Sequence, residues 1–221
     1  MKGLRELLNR SPMTARLAPF LVFVLLTALQ GKLGPNSDLW VYAGKTLVGV
    51  FLVWAMWPIV TEMRWAFSWE AVVVGVAVFA FWVGLDPYYP KWGSIDHVWN
   101  PLAVYGHSVT AFGLIAIRVL GSGLVVPPLE EVFYRSFLYR YVVKPDFMTV
   151  SLGFFSLNAF LITAAIFGAA HYQWLAGILC GFAYQGLVIK KNRLGDAMTA
   201  HAITNILLGI YVVWRDQWQF W

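Results

Sequence analysis

The sequence has little charge and almost no cysteine. Only 12% of its 221 residues are charged and 60% are hydrophobic, whereas a soluble globular domain carries about 25% charged residues. The single cysteine, Cys180, excludes an internal disulfide, and its glycine-rich neighbourhood predicts a packing role. We attribute the net charge of +5 to basic residues that set the membrane topology and contact lipid, rather than to nucleic-acid binding. The composition therefore predicts an all-α, polytopic membrane protein.

Several sequence patterns of other protein classes are also missing. No internal repeat is present, which is unfavourable for a secondary transporter of the usual architecture. The His-Glu-x-x-His motif of soluble zinc proteases is absent. A basic segment, residues 1–16, precedes the apolar run Leu17–Leu29, but no small-x-small cleavage site follows it. That pattern predicts a retained first helix rather than a signal peptide.

The hydrophobic segments predict about eight helices in one integral membrane domain, residues 1–221. The motif-bearing core covers about residues 100–213. One short segment, which begins at Pro127, has about 15 apolar residues where ~20 are needed to cross a bilayer, so a tilted and a re-entrant arrangement both stay open. The other predicted segments are Leu17–Leu29, Leu39–Val60, Trp69–Leu85, Pro101–Leu120, Val150–Ala170, Gln173–Ile189 and Gly195–Val213.

The distribution of basic residues predicts which parts of the chain face the cytoplasm. Lys2, Arg5, Arg10 and Arg16 precede the first span, and a second basic cluster, Lys190–Arg193, follows the seventh segment. The positive-inside rule places both on the cytoplasmic side. The two histidines around the third-to-fourth span boundary, His97 and His107, are expected at the interface without a chemical role.

The stretch Pro127–Arg135 concentrates charge within apolar sequence. Its two prolines predict a helix start. Glu131 and Arg135 are spaced i,i+4 with the acid first, which favours an ion pair. Glu130 is rotated by about 100° from its neighbour and is left available for chemistry. Because an intramembrane charge costs roughly 2.5–3.5 kcal/mol, these residues are candidates for a functional site.

A further intramembrane charge, Arg118, lies within the fourth predicted span. It needs a partner of opposite sign. The sequence Gly121-Ser122-Gly123 that follows predicts a turn, which would bring one of the two glutamates back to Arg118.

Two histidines complete the set of polar residues in the second half of the chain. His171 follows Phe167 at i,i+4, and His201 precedes Asn205 at the same spacing, so each pair shares one helix face. Two mechanisms remain open. Glu130, His171 and His201 could bind a zinc-like ion with an open position for water. Alternatively, Glu130 and His171 could activate a water directly while His201 and Asn205 stabilise an oxyanion.

These three motifs, in order, resemble the CAAX-protease and bacteriocin-processing (CPBP, or Abi) family of intramembrane endopeptidases. The family motifs Glu-Glu-x-x-x-Arg, Phe-x-x-x-His and His-x-x-x-Asn/Asp match Glu130–Arg135, Phe167–His171 and His201–Asn205 without a departure. The chain is also similar to the CAAX-protease-related proteins that accompany bacterial exosortase systems, in its short length and in its Trp82–Trp99 region.

The resemblance implies a function as well as a fold. It implies an eight-helix intramembrane core in which Glu130, assisted by His171, activates water, with His201 and Asn205 on the oxyanion. The expected substrate is a membrane-associated peptide or protein, and prenylated and lipid-anchored substrates both stay open. The protein is expected to be a multi-pass integral membrane protein, located in the plasma membrane if the source is bacterial. A divalent metal such as zinc, or none, is compatible with the motifs. The competing hypothesis is a non-enzymatic immunity or transport scaffold that uses the same polar cluster.

Overall fold

The computed structural model describes residues 2–93 and 98–221, so His97 lies outside the described residues. Within them it contains nine helices and no strand, which confirms the all-α class. We number the helices in chain order: α1 Lys2–Leu8, α2 Pro12–Thr27, α3 Ser37–Met56, α4 Trp69–Gly84, α5 Pro101–Tyr105, α6 Val109–Val143, α7 Leu157–Ala169, α8 Trp174–Lys191 and α9 Gly195–Arg215.

Three helices, α3, α6 and α9, are long and apolar enough to cross a membrane, and α2, α4 and α7 are shorter apolar helices. The chain is an integral membrane protein, as its composition predicts. The helix starts are encoded locally, because four apolar helices begin at a serine whose hydroxyl accepts a backbone N–H of the first turn. These serines are Ser11, Ser68, Ser108 and Ser156.

The prediction of a turn at Gly121–Gly123 and of a new helix at Pro127 is wrong. Residues 109–143 form one continuous helix, α6, and the glycines lie in a π-helical turn, Gly121–Val125, inside it. Prolines lack an N–H and clash with the carbonyl four residues earlier. The wider π-helical turn precedes Pro127 and Pro128, with the Val126 N–H bonded to the Gly121 carbonyl. The glutamates therefore lie within a full-length helix, and neither a short crossing nor a re-entrant segment is formed.

The expected pairing of Arg118 with a glutamate is also wrong. A continuous helix carries Glu130 and Glu131 away from Arg118 instead of folding them back. The Arg118 guanidinium instead lies over three aromatic rings, with its Cζ 4.6 Å from the centroid of Tyr42, 4.5 Å from that of Trp99 and 5.2 Å from that of Trp221.

Many of the basic residues lie at one end of the helix bundle. Glu62, in the loop before α4, forms ion pairs with Arg16 of α2 at 2.7 Å and with Arg140 of α6 at 3.1 Å. Glu70, at the start of α4, pairs with Lys191 of α8 at 2.7 Å. The amino-terminal basic segment and the Lys190–Arg193 cluster thus lie at the same end, as a shared cytoplasmic location requires. We call it the basic end.

Two close helix contacts position the site. A β-carbon on Gly168 would lie 2.6 Å from the Trp174 carbonyl, so only glycine allows α7 to approach α8 this closely just before His171. A β-carbon on Gly75 would lie 2.7 Å from the Ala200 carbonyl, next to His201. Small residues serve this purpose at membrane helix interfaces.

Candidate active site

A cavity of about 560 Å³ lies between the middle of the bundle and the end opposite the basic end. It is bordered by α3, α4, α6, α7, α8 and α9 and by the final 3₁₀ turn, Trp218–Phe220. Polar side chains from separate motifs meet in its wall. They include His171, His201 and Asn205.

Glu131 links the first and third motifs. Its Oε2 lies 3.2 Å from Arg135 Nε, which confirms the predicted i,i+4 ion pair, and its Oε1 lies 2.9 Å from His201 Nδ1. Glu131 and the Arg135 side chain are fully buried. The guanidinium of Arg135 also lies 4.4 Å from the Phe167 ring. Residues of all three motifs therefore meet around the buried Glu131–Arg135 ion pair.

The partner of His201 fixes which nitrogen carries a proton. A carboxylate only accepts hydrogen bonds, so His201 Nδ1–H donates to Glu131. The other nitrogen, Nε2, then accepts a hydrogen bond when the ring is neutral and donates one only when the ring is protonated. An orienting bond of this kind is common for functional histidines. His201 can therefore stabilise an oxyanion only as an imidazolium.

His171 is oriented in the same manner by its own helix. Its Nδ1 lies 2.7 Å from the Phe167 carbonyl oxygen, which also only accepts, so Nε2 is an acceptor in the neutral ring. The ring packs against Phe167 at 4.6 Å and meets Trp82 edge-on at 5.6 Å between centroids. A neutral His171 is thus positioned to accept a proton at the cavity wall.

Asn205 lies on the His201 face of α9 but already has a partner. Its Nδ2 donates to the Ser122 carbonyl at 2.8 Å, in the π-helical turn of α6. The amide carries a second N–H and a carbonyl oxygen. One donor therefore remains for a ligand in the cavity, and the other ties α9 to α6.

Glu130 lies beside the cavity rather than in its wall. The side chain is half-buried, and its Oε2 is buried without a hydrogen bond to any residue in 2–93 or 98–221. It interacts electrostatically with His171 and with Lys45 of α3. The structure thus separates the two glutamates as the helical spacing predicts: Glu131 is engaged, whereas one oxygen of Glu130 is unpaired.

The side chains do not fit a metal centre in this arrangement. Among the described residues, no group of three or more His, Cys, Asp or Glu side chains is arranged to hold an ion. Glu130, His171 and His201 are therefore not assembled as a ligand set.

Two groups that support the site were missed in the sequence. The Tyr184 ring stacks on His201 at 5.1 Å between centroids, and its hydroxyl donates to Thr204 at 2.8 Å. Ser122 contributes only a backbone carbonyl, which no side-chain motif can reveal. The Ala-Tyr-Gln run of α8 carries no spacing signal that connects it to the motif of α9.

Comparison with known proteins finds a family model that covers the part of the chain that forms the site. Residues 111–207 match the family model described as "Type II CAAX prenyl endopeptidase Rce1-like". The matched segment contains all three motifs. No curated protein and no solved structure matches the chain. The family model does not address the exosortase-associated subgroup, which stays a prediction.

Proposed function

We propose that this chain, whose residues 111–207 match the Rce1-like family of type II CAAX prenyl endopeptidases, hydrolyses a peptide bond of a membrane-associated substrate at the cavity lined by His171, His201 and Asn205. Glu130 and His171 activate the water. His201 and Asn205 stabilise the oxyanion. The substrate class is a peptide or protein with a prenyl or other lipid anchor.

The reaction follows from the hydrogen-bonding capacity of each group. The water oxygen attacks the scissile carbonyl carbon while its proton passes to the Glu130 carboxylate, with His171 Nε2 holding the water through its other hydrogen. The oxyanion accepts hydrogen bonds from protonated His201 and from the second N–H of Asn205. The carbon–nitrogen bond then breaks, and the proton on Glu130 passes to the leaving amine.

One observation carries this assignment. The Nδ1 atoms of His171 and His201 are fixed by partners that only accept hydrogen bonds, Phe167 O and Glu131 Oε1, and this leaves Nε2 of each ring without a proton when the ring is neutral. Both Nε2 atoms therefore have defined roles in a wall shared with Asn205. A histidine with a purely structural role does not require an oriented ring with an unused Nε2 in the wall of a cavity of about 560 Å³.

The test is a cleavage assay with purified protein in detergent and with peptides that carry an S-farnesyl or S-palmitoyl cysteine. We expect wild-type protein to release the downstream fragment and Glu130→Gln to release none, because glutamine cannot accept the proton from water. Glu70→Gln is the matched control, since Glu70 pairs with lysines at the basic end. It should cleave at the wild-type rate.

A chelator arm tests the mechanism. Activity that survives extensive chelation supports water activation by glutamate, and activity that is lost and then restored by zinc would replace it with a metal mechanism. Wild-type protein that cleaves none of the peptides, while binding them unchanged, would favour the non-enzymatic scaffold.

A further inference from the structure

Arg118 is a cationic group in the wall of the same cavity that the proposed mechanism does not use. Its guanidinium is enclosed by the rings of Tyr42, Trp99 and Trp221, each within 5.2 Å of Cζ. Cation–π contacts hold a guanidinium in place but leave its N–H edges unused. The residue is therefore fixed in position without being neutralised.

The N–H groups of Arg118 are available to a ligand. Within residues 2–93 and 98–221, the guanidinium makes no hydrogen bond and no ion pair, although Asp38 and the Tyr42 hydroxyl influence it electrostatically. The residue is half-buried and lines the cavity. The contrast with Arg135 is clear, because the three nitrogens of Arg135 are fully buried beside Glu131.

The separation between Arg118 and His201 along the bundle can be estimated from α9. A β-carbon on Gly209 would lie 2.9 Å from a methyl carbon of Val119, so Gly209 marks the level of Arg118 on α9. Gly209 is eight residues beyond His201, which is about 12 Å along a helix. An extended peptide covers that distance with roughly three to four residues.

We propose that Arg118 binds a carboxylate of the peptide substrate, about three to four residues from the bond that is cleaved. This inference rests on the proposed function. A guanidinium presents two parallel N–H groups that match the two oxygens of a carboxylate. Arg118 would then fix the register of the peptide in the cavity and thereby select which bond lies at His171 and His201.

The carboxylate can come from the carboxyl terminus of the peptide or from an acidic side chain, and the experiment separates the two. One pair of S-farnesyl peptides differs only in a free or amidated carboxyl terminus three residues beyond the cleaved bond. A second, amidated pair carries Glu or Gln at that position. We expect one carboxylate form to be cleaved with a kcat/KM about tenfold to a hundredfold above its neutral counterpart, mainly through a lower KM.

Variants assign that preference to Arg118. Arg118→Gln should abolish it, and Arg118→Lys, which keeps the charge but loses the paired N–H groups, should retain part of it. Arg64→Gln is the matched control, because Arg64 also lies over a tryptophan ring, Trp57, but is exposed at the basic end. It should keep the full preference. Thermal unfolding of each variant confirms that the comparison concerns folded protein.

Binding separates failure of this inference from failure of the proposed function. The same peptides are titrated against Glu130→Gln protein, which requires no turnover. Tighter binding of the carboxylate form that is lost with Arg118→Gln supports the inference even if no peptide is cleaved. Equal affinity for both members of each pair, or a preference that persists without Arg118, would overturn it. A change confined to binding of anionic lipid vesicles would assign Arg118 to a lipid phosphate and overturn it as well.

Discussion

The Glu131 carboxylate has two partners, Arg135 and His201, and its replacement should lower the stability of the folded protein. Replacement by glutamine removes the charge opposite Arg135 and weakens the bond that orients His201. Breaking a buried ion pair on one side costs about 3–5 kcal/mol. Glu131→Gln should therefore lower the free energy of unfolding by that amount, measured by denaturant titration in detergent.

Glu130→Gln provides the comparison for this prediction. Because Glu130 is half-buried and has one unpaired oxygen, its substitution should leave the unfolding midpoint close to wild type while abolishing turnover. If Glu130→Gln proved as destabilising as Glu131→Gln, the division of roles between the two glutamates would be wrong.

Asn205 should show both a kinetic and a structural effect. Loss of an oxyanion donor typically slows turnover by 10²–10³-fold, so Asn205→Ala should reduce kcat by about that factor with little change in KM. The substitution also leaves the Ser122 carbonyl without its partner, at a cost of about 1–3 kcal/mol. An unchanged kcat per folded molecule would show that Asn205 serves only to join α9 to α6.

At this scale the sequence predicted contacts within a helix but not between helices. The i,i+4 spacing was enough to predict the Glu131–Arg135 ion pair, because both residues lie on one helix. The bond between Glu131 and His201 joins residues 70 positions apart, and no spacing rule reaches that far. For the same reason, the contact between Tyr184 and His201 could not be predicted from the sequence.

At the scale of elements, the error at Gly121–Gly123 and Pro127 has a physical cause. Glycine and proline usually end helices in water, because the freed backbone groups can bond to solvent. Inside a membrane those groups need internal partners, and a π-helical turn supplies them without ending the helix. The boundaries of α4 and α9 were predictable to within two residues, whereas α7 begins at Leu157, seven residues after the predicted Val150.

The loop between α3 and α4 connects several elements through Glu62, and this predicts a dependence of stability on pH. Burial tends to raise the pKa of Glu62, but the Arg16 guanidinium and the hydrogen bond from Ser136 outweigh it, so the pKa lies below its ordinary value. A lowered pKa in the folded state means that ionised Glu62 stabilises the protein above the unfolded-state value of about 4.3. That contribution is lost as the pH falls below it.

The measurement is the unfolding midpoint of wild-type and Glu62→Gln protein between neutral and strongly acidic pH. Wild-type protein should lose stability as the pH falls below about 4.3, whereas Glu62→Gln should start lower and show a shallower slope. Glu6→Gln serves as the control for general acid effects, because the Glu6 side chain is exposed. Parallel slopes for wild-type and Glu62→Gln would exclude Glu62 as the source.

At the scale of the whole molecule, the cavity and the basic end lie on opposite sides. The basic end carries the positive charges of the amino-terminal segment, the loop before α4, the end of α6 and the Lys190–Arg193 cluster. The cavity is bordered instead by the carboxyl ends of α4 and α7 and by the turn Trp218–Phe220. Helix order and charge could be predicted from the sequence, but the location of a cavity depends on how all the helices pack.

This arrangement predicts the side of the membrane from which the substrate enters. The positive-inside rule places the basic end in the cytoplasm, so the cavity should open on the opposite side.

The test uses single cysteines in a Cys180→Ala background, because Cys180 lines the cavity. Tyr88 follows α4 at the end opposite the basic end and is 81% exposed, whereas Arg64 is exposed at the basic end. A membrane-impermeant maleimide added to intact cells should label Tyr88→Cys and spare Arg64→Cys until the membrane is permeabilised. The reverse pattern would place the cavity on the cytoplasmic side and would require its substrate to be a cytoplasmic one.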